Sequence, residues 1–449
     1  MTPHASARRG ARHPSGRPLL VLAALAVAGP ARAADSLSLE DAIRAAWSRH
    51  LGLAAGAAQV EAARADAAAA TASLLPALQL SARGVRTDEP LTAFGIKLDQ
   101  GRITAADFDP ARLNDPDAIT GLGGGVTLTQ PIFAGGRILA GRRALRASAA
   151  AEAASQQRRS QEVAVAVVEA YFGAGVAGEG LRFADDLLAQ ARETERFVAL
   201  RNKEGLALDA DVARATAFRA QAEADRAAAA QRLESARSAL VLLVSDDAAG
   251  AALASPIEAA GAPVAAGGVE RPDLAAARLR RDAAEAGVAA ARGSLLPEVG
   301  AQASLETLRT SDLDDGASWF GVGVVAKWQL TVADGARLRA ARARARAAEA
   351  ALGWQARAAA REAAEARRAV ETADARVRSA HEAVAASESA RSLRAARHRQ
   401  GLTPLTDLLD AEAGLAGARA LLLASRLDAR VARARLALAD GSPVEGLQP

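Results

Sequence analysis

The chain has 449 residues, with 56 Lys and Arg against 52 Asp and Glu and a formal charge of +4. It has no cysteine, which excludes disulfides, thiolate metal sites, a cysteine nucleophile and a lipidated cysteine. Half of the residues are hydrophobic but only 3% are aromatic, so alanine-rich long helices are favoured over a thick globular core.

The first 33 residues read as a secretory signal peptide. Arg8, Arg9, Arg12 and Arg17 precede the apolar run Leu19 to Ala28, and Ala31-Arg32-Ala33 supplies a small-x-small cleavage pattern. The run is too short to span a bilayer as a helix. Removing residues 1–33 takes away five arginines and no acid, so the charge falls from +4 to −1. The hint of a basic nucleic-acid binder disappears with them, and no nucleic-acid partner is expected. No other segment reads as a membrane-spanning helix, so membrane residence requires β-strands. The histidines that remain, His50, His381 and His398, are far apart and suggest no metal cluster.

A helix is predicted from Ser38 to Leu75, with Ser38 and Asp41 resembling a capping box. Pro76 ends it and starts a strand, Ala77 to Arg86, in which Leu78, Leu80 and Ala82 oppose Gln79, Ser81 and Arg83. After a long loop, Val126 to Gln130 alternates again. Arg137 to Leu200 then reads as one helix of about 96 Å at about 1.5 Å per residue. Its end carries Arg201, Lys203 and Gly205, cations and a left-handed cap. A returning helix follows, Asp209 to Ser245, with Asp209 as its expected cap.

The chain then repeats itself. Ser73-Leu74-Leu75-Pro76 recurs as Ser294-Leu295-Leu296-Pro297, Gly136 as Gly335, and Arg201, Gly205 and Asp211 as Arg397, Gly401 and Asp407. The second copy gives a helix from Asp273 to Leu296 and strands through Val299–Leu305 and Phe320–Trp328. A helix from Arg337 to Arg399 and a return from Pro404 to Asp440 follow, Thr403 being the expected cap of the return. The domain reading is therefore 1–33 signal peptide, 34–245 first repeat, 246–272 a linker half-way along a rod, 273–440 second repeat, and 441–449 a short tail. The fold class is mainly α with a membrane β part, each repeat giving two strands and a long helical hairpin. Strands with one apolar face suit a membrane barrel, but four per chain are too few to close one, so the chain must oligomerise.

Two motifs point elsewhere. Gly173, Gly175 and Gly178 form a G-x-G-x-x-G followed by Glu193 and Glu195, but no strand–helix–strand alternation surrounds them. Close packing of neighbouring helices is the structural reading. Asp312, Asp314 and Asp315-Gly316 faintly resemble a calcium loop, but lack the later glutamate and read as an external turn. No enzyme activity and no cofactor is expected. A soluble periplasmic coiled-coil scaffold is the alternative, requiring the helices but not the alternating strands.

The paired Ser-Leu-Leu-Pro turns, Gln130-Pro131-Ile132-Phe133-Ala134-Gly135-Gly136-Arg137, Arg271-Pro272-Asp273 and Gly401-Leu402-Thr403-Pro404-Leu405-Thr406-Asp407 together resemble the TolC-like outer-membrane factor family. The resemblance implies a homotrimer with a twelve-stranded barrel among outer-membrane lipid and a periplasmic α-helical tunnel. It also implies docking to a periplasmic adaptor and to an inner-membrane pump of RND or ABC type, in a tripartite efflux pump or type I secretion system. Asp407 and Asp410 match the family's acidic constriction. Asp211 and His398 stand where a closing link of the tip belongs. Arg201, Gly205, Leu206, Arg397, Gly401 and Leu402 are the expected adaptor-facing hairpin tips.

Overall fold

The computed structural model of the chain describes residues 36–245, 248, 250–258 and 270–448. The expected cleavage after Ala33 and most of the expected linker at 246–272 lie outside the described residues. The elements run β1 (Ser36–Leu37), α1 (Leu39–Arg49), α2 (Leu51–Ala72), β2 (Ala77–Thr87), α3 (Pro90–Asp99), a 3-10 turn (Ala105–Phe108), α4 (Pro110–Asn114) and β3 (Ile119–Ala134). They continue through α5 (Arg137–Lys203), α6 (Asp209–Leu243), β4 (Ala252–Leu253), α7 (Pro272–Gly293), β5 (Glu298–Arg309), β6 (Gly316–Lys327), α8 (Val332–Arg399) and α9 (Leu405–Asp440).

Four strands form one antiparallel sheet in the order β2-β3-β5-β6, leaving β2 and β6 as open edges. Directly opposed residues share a face, so the register shows what each face carries. One row reads Leu80, Val126, Leu305, Phe320 and the next Leu78, Leu128, Ala303, Val322. The opposite face carries Gln79, Thr127, Ser304 and Gly321. The apolar rows are open, with Leu80 73%, Phe320 80% and Val322 79% exposed. At about 3.3 Å per residue and a tilt of about 40°, a 12-residue strand rises about 30 Å, the height of a bilayer core.

Below the sheet, α5 and α8 run 67 and 68 residues without a break. The shorter helices lie along them: α7 packs beside both, α2 and α6 beside α5, and α9 beside α8 and α5. The predicted first helix is in fact two. His50 adopts an extended conformation (φ −67°, ψ 115°), ending α1 and starting α2. No proline enforces this break. Its carbonyl accepts from the amides of Leu53 and Ala54, so the second helix nucleates on the bend. Of the expected capping box only one half forms: Ser38 Oγ accepts from the Asp41 amide at 3.1 Å, while the Asp41 carboxylate takes the Ser38 hydroxyl at 2.6 Å rather than its backbone amide.

The largest apolar core sits mid-rod, where α1 and the end of α9 wrap α5 around Val167, Val168, Tyr171 and Phe172. Tyr171, the single tyrosine, ties the layers together. Its hydroxyl donates to the Leu37 carbonyl at 2.7 Å and accepts from the Ser255 amide at 2.9 Å. One stretch of α5 departs from the expectation that no segment beyond the first 33 residues reads as a membrane-spanning helix. It reaches a mean hydropathy of 1.3 over 18 residues, long and apolar enough for a membrane span. Within it Ala164, Val165, Val167, Val168 and Phe172 are buried in the mid-rod core, while the charged Glu169 among them stays exposed.

Arg271 pins the joint beside that core. It donates to Asp273 at 2.9 and 3.1 Å, to Glu362 at 2.8 Å and to the Ala439 carbonyl at 2.9 Å. The Arg271-Pro272-Asp273 motif thereby locks the start of α7 to α8 and α9. The glycine motif at 173–178 lies inside α5. A Cβ at Gly173 would meet nothing within 4 Å, and at Gly175 or Gly178 only one leucine methyl near 3.8–3.9 Å. Within this chain those glycines are therefore not required by the close helix packing expected of them.

Candidate channel tip and membrane sheet

Each hairpin closes with the same backbone device. In the first, the Leu206 amide donates to the Arg201 carbonyl at 2.8 Å and the Gly205 amide to the Asn202 carbonyl at 2.9 Å. In the second, Leu402 donates to Arg397 at 3.0 Å and Gly401 to His398 at 2.9 Å. These are Schellman closures, and they demand a left-handed residue at the glycine. Gly205 has φ +74° and Gly401 φ +72°. The closures leave Leu206 and Leu402 projecting, 62% and 68% exposed.

The helix starts differ from expectation. Asp209 does not cap α6; it is the first helical residue and accepts from Asn202 Nδ2 at 3.0 Å. The free amide of Leu208 is met by the Asp211 carboxylate at 3.4 Å, one turn further in. Thr403 does not cap α9 either. Pro404 occupies the cap position, and the Thr403 hydroxyl has no partner.

The two tips lie side by side around a cavity of about 170 Å³ lined by Arg201, Leu206, Asp211, His398, Gly401 and Thr403, among others. Asp211 and His398 therefore share one space, as their positions suggested. The direct link between them is not formed. His398 Nδ1 lies 3.1 Å from the Thr403 carbonyl, and Nε2 is buried without a partner. Asp211 is already engaged at the start of α6. Phe197, which the sequence reading did not single out, packs edge-on against His398 at 6.3 Å between ring centres. The Arg201 guanidinium lies over the Phe197 ring, 5.8 Å from its centre. Beneath the cavity, Val198, Ala215 and Leu405 form an apolar plug joining α5, α6 and α9.

Asp407 and Asp410 sit in the first turns of α9, half-buried and exposed respectively. Among the described residues neither carboxylate joins an ion pair. Two residues beyond Asp410, the buried Glu412 receives Arg391 Nε at 2.6 Å, and Arg391 also reaches Gln190 on α5. No pattern in the sequence marks that cluster, because its members come from three distant segments.

The other end of the molecule holds a second unforeseen feature. The β2–β3 connection contains α3 and α4 and folds back on the sheet. Gln100, 2% exposed, donates from Nε2 to the carbonyls of Thr120 and Arg309 at 2.9 and 3.0 Å. A Cβ at Gly121 would come within 3.2 Å of Ile96, so α3 sits against the polar face of the sheet. The Lys97 ammonium, with the Thr104 amide and hydroxyl, holds the Asp107 carboxyl down to about 2. The acidic turn at Asp312 to Asp315 joins β5 to β6 as expected, and no carboxylate cluster suited to a metal occurs among the described residues.

Comparison with known proteins supports this architecture. A family model described as outer membrane efflux protein matches residues 42–245 and 269–442, one match per repeat. No curated protein matches the sequence. Among solved structures, a membrane protein from Pseudomonas aeruginosa is 24% identical, over 90% of this chain and 93% of that one, with a TM-score of 0.77. The outer membrane protein VceC of Vibrio cholerae is 21% identical, over 90% and 96%, with a TM-score of 0.74. The CmeC outer membrane channel of Campylobacter jejuni is 18% identical, over 91% and 86%, with a TM-score of 0.79. These likenesses establish the fold, and the two family matches span most of the chain. The chain belongs to the outer membrane efflux protein family, a TolC-like protein of the outer membrane with a periplasmic helical extension.

Proposed function

We propose that this chain is one third of a passive export duct. Three copies join β6 of one to β2 of the next, closing a twelve-stranded barrel whose apolar rows meet lipid and whose polar rows line the lumen. The long helices continue the lumen through the periplasm. The observation that carries this reading is the sheet: apolar rows cross all four strands without interruption, remain exposed, and end at two unpaired edges. A soluble scaffold would leave that face in water, so the sheet favours the membrane duct over the scaffold. Closure also removes both edges, which otherwise invite aggregation.

In this reading Leu206 and Leu402 are the apolar knobs that meet a periplasmic adaptor, which couples the duct to an inner-membrane transporter of the RND or ABC type. Asp407 and Asp410 stand three apart on one helix face. Threefold symmetry gathers six carboxylates at the periplasmic mouth, a charge pattern that draws cations. At the outer end α3 narrows the external mouth. The duct itself performs no chemistry; cargo choice rests with the transporter.

Incorporation of purified protein into planar bilayers tests the reading. Uniform conductance steps with cation preference are expected. Protein that leaves membranes without detergent and gives no conductance would overturn it.

A further inference from the structure

The junction between sheet and rod carries more positive charge than folding explains. In the turns closest to the sheet, residues 64–72, 137–146, 284–293 and 332–346, there are eleven arginines and three acids. α5 has no acid before Glu152, and α8 has none between Asp334 and Glu349. Arg143 and Arg146 on α5, and Arg339, Arg342, Arg344 and Arg346 on α8, are exposed, and among the described residues none of them forms an ion pair. Several stand three or four apart on one helix and repel each other. Cations near a helix start are also opposed by its dipole. Local stability thus argues against this arrangement, which needs an anionic partner to account for it.

The geometry gives the direction in which part of the set points. Arg137 pairs with Glu298, which alternates with Val299 and so lies on the polar face of the sheet. At about 100° per residue, Leu139, Arg143 and Arg146 fall about 200°, 240° and 180° around the helix from Arg137. They therefore face the side of the apolar rows. Leu139 is 49% exposed there, continuing the apolar band before the charges begin. On α8 the arginines divide between two faces, Arg339, Arg342 and Arg346 on one and Arg337 and Arg344 on the other, so either orientation presents at least two outward. Helical side chains tilt toward the helix start, and both helices start at the sheet. Long arginine stems then carry their guanidiniums up toward the membrane surface.

We propose that this collar binds the phosphate headgroups of anionic phospholipids in the periplasmic leaflet. The inference goes beyond the export function and rests only on the membrane placement of the sheet. Guanidinium groups take phosphate oxygens as paired donors. The ring lies within one helix turn to about 20 Å of the apolar edge, at about 1.5 Å per residue, where headgroups begin. A basic residue at such a surface strengthens association by about fivefold.

Spin-labelled phosphatidylglycerol and phosphatidylcholine, each in nanodiscs holding the full assembly, test the proposal. The native protein is expected to immobilise phosphatidylglycerol at least about tenfold better at low salt, with the preference collapsing near 1 M salt. Arg143→Gln with Arg146→Gln should remove most of the preference while leaving assembly size unchanged. Equal immobilisation of the two lipids by the native protein overturns the proposal. So does a variant that keeps the lipid preference but changes ion selectivity, which would assign these arginines to anionic cargo in the lumen.

Discussion

Replacing Arg271 with alanine should loosen the rod at its joint. Arg271 has 8% of its side chain exposed and Asp273 18%, so both charges are largely out of water. Burial alone would push the Asp273 carboxyl up, but the Arg271 hydrogen bonds and the nearby Arg158 charge outweigh it and hold the carboxyl below its usual range. Removing the guanidinium strands that carboxylate and leaves the Ala439 carbonyl without its donor. Breaking a buried pair from one side costs about 3–5 kcal/mol. Glu362 is half-exposed and keeps Arg158 at 3.5 Å, so it adds little. Hydrogen exchange reads the local cost. Amides at the start of α7 should exchange about 10²–10⁴ times faster in Arg271→Ala. Arg271→Lys, which lacks the planar fork, should fall between. Adding Asp273→Ala to Arg271→Ala should recover part of the loss by removing the stranded charge. The sign with pH follows from the depressed carboxyl. Protection in the native protein is fully present above the unfolded value of about 3.9 and is lost as pH falls through the lower folded value. Exchange rates that change less than threefold in Arg271→Ala would refute the joint as a buried ionic lock.

Three further outcomes are expected. Asp407→Ala with Asp410→Ala should weaken cation preference and divalent block in single-channel recordings without changing assembly size. Ile96→Asp should lift α3 from the polar face and raise conductance; in the native protein the same release should occur only as pH falls from about 4 toward 2 and Asp107 takes its proton. Gly205→Ala and Gly401→Ala place a Cβ on left-handed backbone at about 1–2 kcal/mol each, which should speed amide exchange at the tips about five- to thirtyfold.

The parts legible in the sequence are those governed by local rules. Alternation at Ala77–Arg86 and Phe320–Trp328 marked strands because one face must be apolar. Gly205 and Gly401 marked helix ends because only a left-handed residue closes them. The duplication ordered everything else. What escaped was set by distant or cooperative contacts. α3 and α4 are too short to announce themselves and are held by Gln100, Lys97 and the sheet. The break at His50 has no proline to signal it. At the tip, Asp211 and His398 line one cavity, but the Leu208 amide claims the Asp211 carboxylate, a contact set by the local backbone and not by residue spacing. Nor could spacing reveal that Phe197 and Glu412 belong to the same region, since they come from segments far apart in the chain.

Closure of three chains into one barrel is the centre of the account, and disulfide trapping tests it most directly. The chain has no cysteine of its own, so introduced pairs give a clean background. Single cysteines scanned along the polar face of β2, at Gln79 and Ser81, are combined with cysteines on β6, at Gly321 and Gly323. Oxidation in outer-membrane vesicles should yield a covalent ladder that ends at three chains. A ladder that runs past three, or edges that never cross-link while the protein remains membrane-bound, would contradict the twelve-stranded barrel.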